Sequence, residues 1–199
     1  MRRTLVWLLI GLYSAVVPAG HGLMTTFNDV EPLPDAGLTP LQFSYRLDLL
    51  DEQTRLLLTP ASADRYPLAI AFAREKLAEI EALVVQDHGS AAAPAVEAYR
   101  AYLDSAAAAV LESPAEQRDA RAEHFANALL EQRYLMSTNY LDLPSDSRPV
   151  IGGVIEVAVT HYENLTAVLR KAFKKAQFFK EEEVRWAWET AQQADLQGL

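Results

Sequence analysis

Cysteine is absent from this 199-residue chain. That excludes disulfides, thiolate metal sites, a cysteine nucleophile, attached c-type haem and a lipid-modified N-terminal cysteine. Glycine is scarce, at eight residues. No Gly-x-Ser-x-Gly elbow, phosphate loop or dinucleotide fingerprint occurs, and Gly152-Gly153 is only a pair in the first turn of a helix. Glu-x-x-His pairs are missing too, so the ligand pattern of a di-iron carboxylate bundle has no support. β-branched runs are few, while alanine and leucine dominate, a bias toward helix. Basic residues are outnumbered: 18 Lys and Arg stand against 27 Asp and Glu, a net charge of -9. Such a surface repels phosphate backbones, which argues against nucleic acid as a partner.

Half of the residues are hydrophobic, enough for a packed core and against disorder throughout. The first apolar run, Leu5 to Val17, follows the basic Met1-Arg-Arg start. Its length suits a signal-peptide core and is short for a bilayer span of roughly 20 residues. Residues 1–19 are therefore expected to be a signal peptide, cut near Val17-Pro-Ala19, or a membrane anchor. Either reading exports the rest of the chain to a periplasmic or extracellular location, with Arg2 and Arg3 left inside. Residues 20–38, rich in Pro and Gly, read as an extended linker.

Residues 39–195 read as one helical domain. Thr39-Pro-Leu-Gln42 has the form of a helix start, with Thr39 as cap and Gln42 reaching back. This first helix is expected to run to about Leu58 with Phe43, Leu47, Leu50 and Leu57 inward. In the second, Ile70, Ala73, Leu77, Ile80 and Val84 step by three and four along one stripe, and the charges between them are expected to face away. A third helix carries Val96, Tyr99, Leu103, Ala106 and Val110. Ser113-Pro-Ala-Glu116 reads as a capping box ahead of a fourth, with Ala122, Phe125, Leu129 and Met136 inward. Leu143–Pro149 is a break. A fifth helix follows, lined by Ile155, Ala158, Tyr162, Leu165, Leu169, Ala172 and Ala176, and either continues or bends near Gln177-Phe178-Phe179. Short connections favour antiparallel neighbours, so the expected fold is all-α, an up-and-down bundle of about five helices.

Tyr45-Arg-Leu47, Glu52, Arg55-Leu-Leu-Leu-Thr59 and Phe72-Ala-Arg-Glu-Lys-Leu-Ala-Glu-Ile-Glu-Ala-Leu83 together resemble a family of exported bacterial proteins filed as a domain of unknown function. Its members open on Tyr-x-Leu-Lys and carry a long helix reading Ala-x-x-Arg/Lys-Leu-x-Glu. The resemblance is best over about residues 38–112. Asp48 stands where the family usually has Lys. The resemblance implies an extracytoplasmic helical module and brings no activity, cofactor or catalytic residue.

Candidate chemistry is sparse. Glu123 and His124 are adjacent and diverge, Glu156 and His161 are five apart, and His124 and Glu131 are two turns apart, so none forms a ligand set. His161, beside the inward Tyr162, is the least ordinary histidine, able to titrate near neutrality. Glu79/Glu81 and Glu181–Glu183 read as solvated faces. The tail is the best site for binding: Arg170, Lys171, Lys174, Lys175 and Lys180 make a basic cluster, with Lys171, Lys174 and Lys175 as its expected contacts, and Trp186 and Trp188 diverge by about 200° on a helix. Either both Trp are covered by the tail folding back, or one is free to meet a partner. The expectation is a non-enzymatic interaction module without cofactor, binding a protein or cell-envelope component and touching the membrane through its N-terminal segment if uncleaved. The alternative is a bundle that holds a small ligand or metal.

Overall fold

The computed structural model describes residue 27 and residues 30–60, 65–168 and 171–198, with the side chains of 168 and 171–176 outside the described set. The signal or anchor expected over 1–19 lies outside the described residues. Among those described there are six α-helices and no strand: α1 Tyr45–Leu58, α2 Arg65–Val85, α3 Ala93–Leu111, α4 Ala115–Asn139, α5 Arg148–Val168 and α6 Lys171–Gln197. None is long and apolar enough to cross a membrane.

The ends of α1 and α2 have local causes. Gln42 does reach back to the Thr39 N–H (2.8 Å), but two successive turns follow and regular helix starts only at Tyr45. Thr59 precedes Pro60, takes an extended backbone and stops α1. Asp87 sits in the left-handed region at φ 60°. The His88 N–H then reaches the Leu83 carbonyl (2.8 Å) and the Asp87 N–H that of Val84 (3.0 Å), closing α2 with a Schellman pattern. The expected capping box at Ser113 does not form. Its hydroxyl donates to the Ala109 carbonyl (2.7 Å) and accepts from Arg121 (2.7 Å), while Pro114 starts α4 without a side-chain cap.

Paired residues give the helix directions. Tyr66 of α2 meets His124 of α4, and Glu81 meets Asn139, so α2 and α4 run the same way. Asp104 of α3 meets His161 of α5, and Gly89 approaches Ser147, which aligns α3 with α5. Asn127 meets Gln177 and Tyr140 meets Asp195, so α6 runs with α4. α6 passes without interruption through Gln177–Phe179 and lies back on the bundle. The expected bend at Gln177 is therefore absent from α6, and residues 169–170, between α5 and α6, lie outside the described set.

The stripes read from α2 to α4 form the core. Ala73, Leu77, Ile80 and Val84 pack with Tyr99, Leu103, Ala106 and Val110, and with Ala122, Phe125, Leu129 and Met136. Ile155, Ala158, Tyr162 and Leu165 join from α5. Burial of each large side chain contributes roughly 1.5–3 kcal/mol. Part of the segment read as a linker docks on this core: Phe27 stacks on Tyr134 (4.7 Å), Val30 and Leu33 pack against the cluster, and Arg74 binds the Glu31 carboxylate (2.7 Å) and the Pro32 carbonyl (2.9 Å).

Two expectations fail on α1 and α2. Phe43, Leu47, Leu50 and Leu57 do not face inward; they are exposed. Lys76 and Glu79 do not face away; both are fully buried. The two departures share one physical cause, found where α1 meets α2.

Candidate functional site: an outward apolar helix above a buried ionic cluster

α1 is inverted. Its inward face carries Tyr45, Asp48, Glu52 and Leu56, with Leu49 at the edge. On the opposite side Phe43 is fully exposed, and Leu47, Leu50, Leu57 and Leu58 are 59–78% exposed. At roughly 100° per residue, this stripe points about half a turn away from Glu52.

The polar inward face is matched by α2. Phe72, Lys76, Glu79 and Leu83 form a second stripe on α2, stepping by four, three and four, beside the apolar one. The Lys76 ammonium lies 2.6 Å from Glu79 Oε1, 2.9 Å from Glu52 Oε1 and 3.8 Å from Asp48 Oδ2. It also sits 5.3 Å above the Tyr45 ring. Tyr102 of α3 donates its hydroxyl to Glu52 Oε2 (2.6 Å). Arg55 lies 5.4 Å over the Phe72 ring and extends the contact toward the end of α1. Turning α1 over to bury its leucines would leave Lys76 and Glu79 without Glu52 and Tyr45. The buried Lys76–Glu79 pair would then face apolar side chains in place of its remaining polar partners, and that desolvation cost holds the helix in its inverted setting.

Carboxylates outnumber the ammonium. Asp48, Glu52 and Glu75 bring oxygens within 4.8 Å of one another, and Glu79 adds a fourth acid beside Lys76. Burial pushes the Glu79 carboxyl up to about 7, reinforced by Glu52 and Glu75 and opposed by Lys76. Burial also raises Glu75. Burial alone would lower Lys76, but its hydrogen bonds to Glu79 and Glu52 outweigh it and hold the ammonium above its ordinary range. The Tyr45 and Tyr102 hydroxyls are pushed well up by burial beside these carboxylates. Lys76 thus stays charged, and Glu79 is the acid that takes up a proton as pH falls through neutrality. Among the described residues, Tyr45 Oη, Asp48 Oδ2 and Glu79 Oε2 find no hydrogen-bond partner. The Asp48–Glu52–Glu75 spacing suits a cation, yet Lys76 already supplies positive charge to two of those carboxylates.

His124 and His161 do not converge. His124 Nδ1 pairs with the Tyr66 hydroxyl (2.6 Å). His161 faces the Val157 carbonyl through Nδ1 (2.8 Å) and Asp104 through Nε2 (3.0 Å). His161 lines an open groove of about 570 Å³ between α3 and α5, with Arg100, Asp104, Glu156 and Asn164 at its polar side.

The tail residues separate. Trp188 is half-buried, edge-on to Tyr140 at 4.9 Å, while Trp186 is exposed. Lys171, Lys174 and Lys175 lie on α6, but their side chains fall outside the described residues. The acids read as solvated are mixed: Glu79 is buried, and Glu81 and Glu181–Glu183 are half-buried. Lys76, Glu52, Tyr45 and Tyr102 were missed by the sequence reading. The available signal was the Phe72–Lys76–Glu79–Leu83 spacing, which places two charges on an apolar stripe.

No curated protein and no solved structure matches the chain. One family model, the domain of unknown function DUF5667, matches residues 37–137. That span contains α1, the whole ionic cluster and most of α4; α5 and α6 fall outside it. The motif residues Tyr45, Lys76 and Glu79, with Asp48 at the variant position, meet in space. By this match over half its length, the chain belongs to the DUF5667 family.

Proposed function

We propose that this protein is a non-enzymatic interaction module that works outside the cytoplasm and docks through the outward face of α1. One observation carries the reading: Leu47, Leu50, Leu57 and Leu58 hold apolar side chains in water on the outward side of a helix fixed from behind by Lys76, Glu52 and Glu79, with Phe43 exposed in the turn ahead of it. Exposed apolar patches of this kind mark binding surfaces, and a helix face with three-and-four spacing is a common recognition element. The basic start and apolar run of residues 1–17 support export. Trp186, with Lys171, Lys174 and Lys175, offers a second contact region on α6, whereas Trp188 serves packing.

Photo-crosslinking amino acids at Leu47 and Leu50, with Glu97 on the exposed side of α3 as control, test this in expressing cells. Adducts from α1 alone support the reading; no adduct from either α1 position refutes it. N-terminal sequencing of the product tests export, and an unprocessed chain in the cytosolic fraction counts against it.

A second reading, small-ligand binding, rests on the groove between α3 and α5, where Arg100, Asp104 and His161 edge an apolar floor of Ala107, Leu111 and Val157. Small-molecule sites combine such features. Chemical shifts at His161 that move with added anionic metabolites, and stay fixed in Arg100→Ala, would favour it.

A further inference from the structure

We infer that the partner on α1 is a second copy of this chain, bound by parallel pairing of the two α1 helices. The inference rests on the reading of α1 as a docking face and names what docks there.

The spacing of the stripe is the first argument. Leu47, Leu50, Thr54 and Leu57 step by three, four and three along α1, the heptad pattern of a two-helix seam. Leu47 and Thr54 take one seam position, and Leu50 and Leu57 the other. All four are exposed, as is Phe43 in the turn ahead of the helix. Ordinary surface helices of globular proteins point such a stripe at their own core; this one points it at water.

Charge complementarity is the second argument. On this register Arg46 and Gln53 flank one side of the seam, and Asp51 and Leu58 the other, all exposed. In a parallel pair, each flanking position meets the opposite flank five residues further along the partner. Arg46 of one copy then faces Asp51 of the second, twice by symmetry. Antiparallel pairing brings like flanks together and loses this match. Among the described residues Asp51 makes a loose exposed pair, 3.9 Å to Arg55, which offers little competition.

Preorganisation is the third. An isolated helix of two heptads is marginal in water. α1 is already folded, held from its polar side by Glu52, Tyr45 and Lys76, so pairing does not bear the cost of ordering it. The same patch is self-complementary, as a two-fold interface requires. A bilayer surface is a poorer occupant: the chain carries a net charge of -9, and anionic headgroups repel it.

The absence of native cysteine makes the test direct. Leu47→Cys, Leu50→Cys and Leu57→Cys are placed singly in the full-length chain and oxidised with copper phenanthroline in the expressing cells before lysis. Disulfide-linked homodimers from Leu47→Cys and from Leu57→Cys, reduced about tenfold by adding Leu50→Glu, are the expected result. Circular dichroism of Leu50→Glu, unchanged from the parent, assigns that loss to the seam. Dimers only from a mixture of Leu47→Cys and Leu57→Cys chains overturn the parallel arrangement. A monomer whose α1 crosslinks to another protein, a lipid or residues 1–26 overturns the second copy and leaves docking through α1 standing. A monomer without adducts overturns both.

Discussion

Replacing Lys76 by methionine removes the one ammonium inside the cluster and keeps nearly the same length of side chain. Two buried carboxylates, Glu79 and Glu52, lose a partner at 2.6 and 2.9 Å. Breaking one side of a buried ion pair costs about 3–5 kcal/mol, a large part of the 5–15 kcal/mol that holds a domain of this size. The dependence on pH gives the test its specificity. In the parent, Glu79 is held at about 7 against an ordinary 4.5. The folded state therefore binds a proton more tightly than the unfolded chain. Stability rises as pH falls from above 7 toward 4.5 and levels off below that, with the gap corresponding to roughly 3 kcal/mol. Without Lys76, Glu79 loses the contacts that oppose its protonation and shifts further toward the protonated form. The penalty of Lys76→Met is then larger at pH 8 than at pH 5. Urea unfolding of parent and variant at the two pH values measures it. A loss below about 1 kcal/mol, or one equal at pH 5 and pH 8, refutes the cluster as the clamp on α1.

Four further outcomes follow from the same structure. Glu79→Gln removes the titrating acid, so the gain in stability between pH 7 and 4.5 disappears from its urea profile. Gly89→Ala places a methyl group 2.7 Å from Ser147 Oγ and 3.3 Å from its backbone Cα; overpacking at this buried contact lowers stability by about 1–3 kcal/mol, read by thermal denaturation. Trp188→Ala costs about 2 kcal/mol through its lost contact with Tyr140, while Trp186→Ala stays within about 0.5 kcal/mol, a contrast that denaturant midpoints resolve. Phe27→Ala frees the segment docked on Tyr134, and limited proteolysis then cuts within residues 30–38 at a protease level that spares the parent.

The core of this fold was legible because α2, α3 and α4 obey the rule that apolar residues spaced by three and four turn inward. Ala73, Leu77, Ile80 and Val84 do so, as do Tyr99, Leu103 and Ala106. The same rule misdirects α1, whose apolar stripe is as regular as theirs. Periodicity reports that a face exists, not which side of it the rest of the molecule lies on. The side was decided by a feature of α2 with no local signature: Lys76 and Glu79 share a stripe with Phe72 and Leu83, and once they are buried only a polar helix face can meet them. Tyr45, Asp48 and Glu52 provide that face. The motif that carried the family resemblance was visible as letters, Tyr45 and Leu47 on one helix and Ala73, Lys76, Leu77 and Glu79 on the next. That Tyr45 and Lys76 meet across 31 residues of sequence is a tertiary fact. The tail shows the complementary case. The divergence of Trp186 and Trp188 was legible from two residues of helical rotation, but which of them packs was not, because Tyr140 and Gly152 arrive from distant parts of the chain.

The orientation of α1 is the claim on which the rest stands, and thiol labelling of single-cysteine chains measures it most directly. At the dilution where the chain is monomeric, Leu50→Cys and Leu57→Cys should react with a water-soluble maleimide at rates near that of an unfolded peptide, and Leu56→Cys at least about tenfold more slowly. Slow labelling at positions 50 and 57 with fast labelling at 56 would mean that α1 buries its leucines after all.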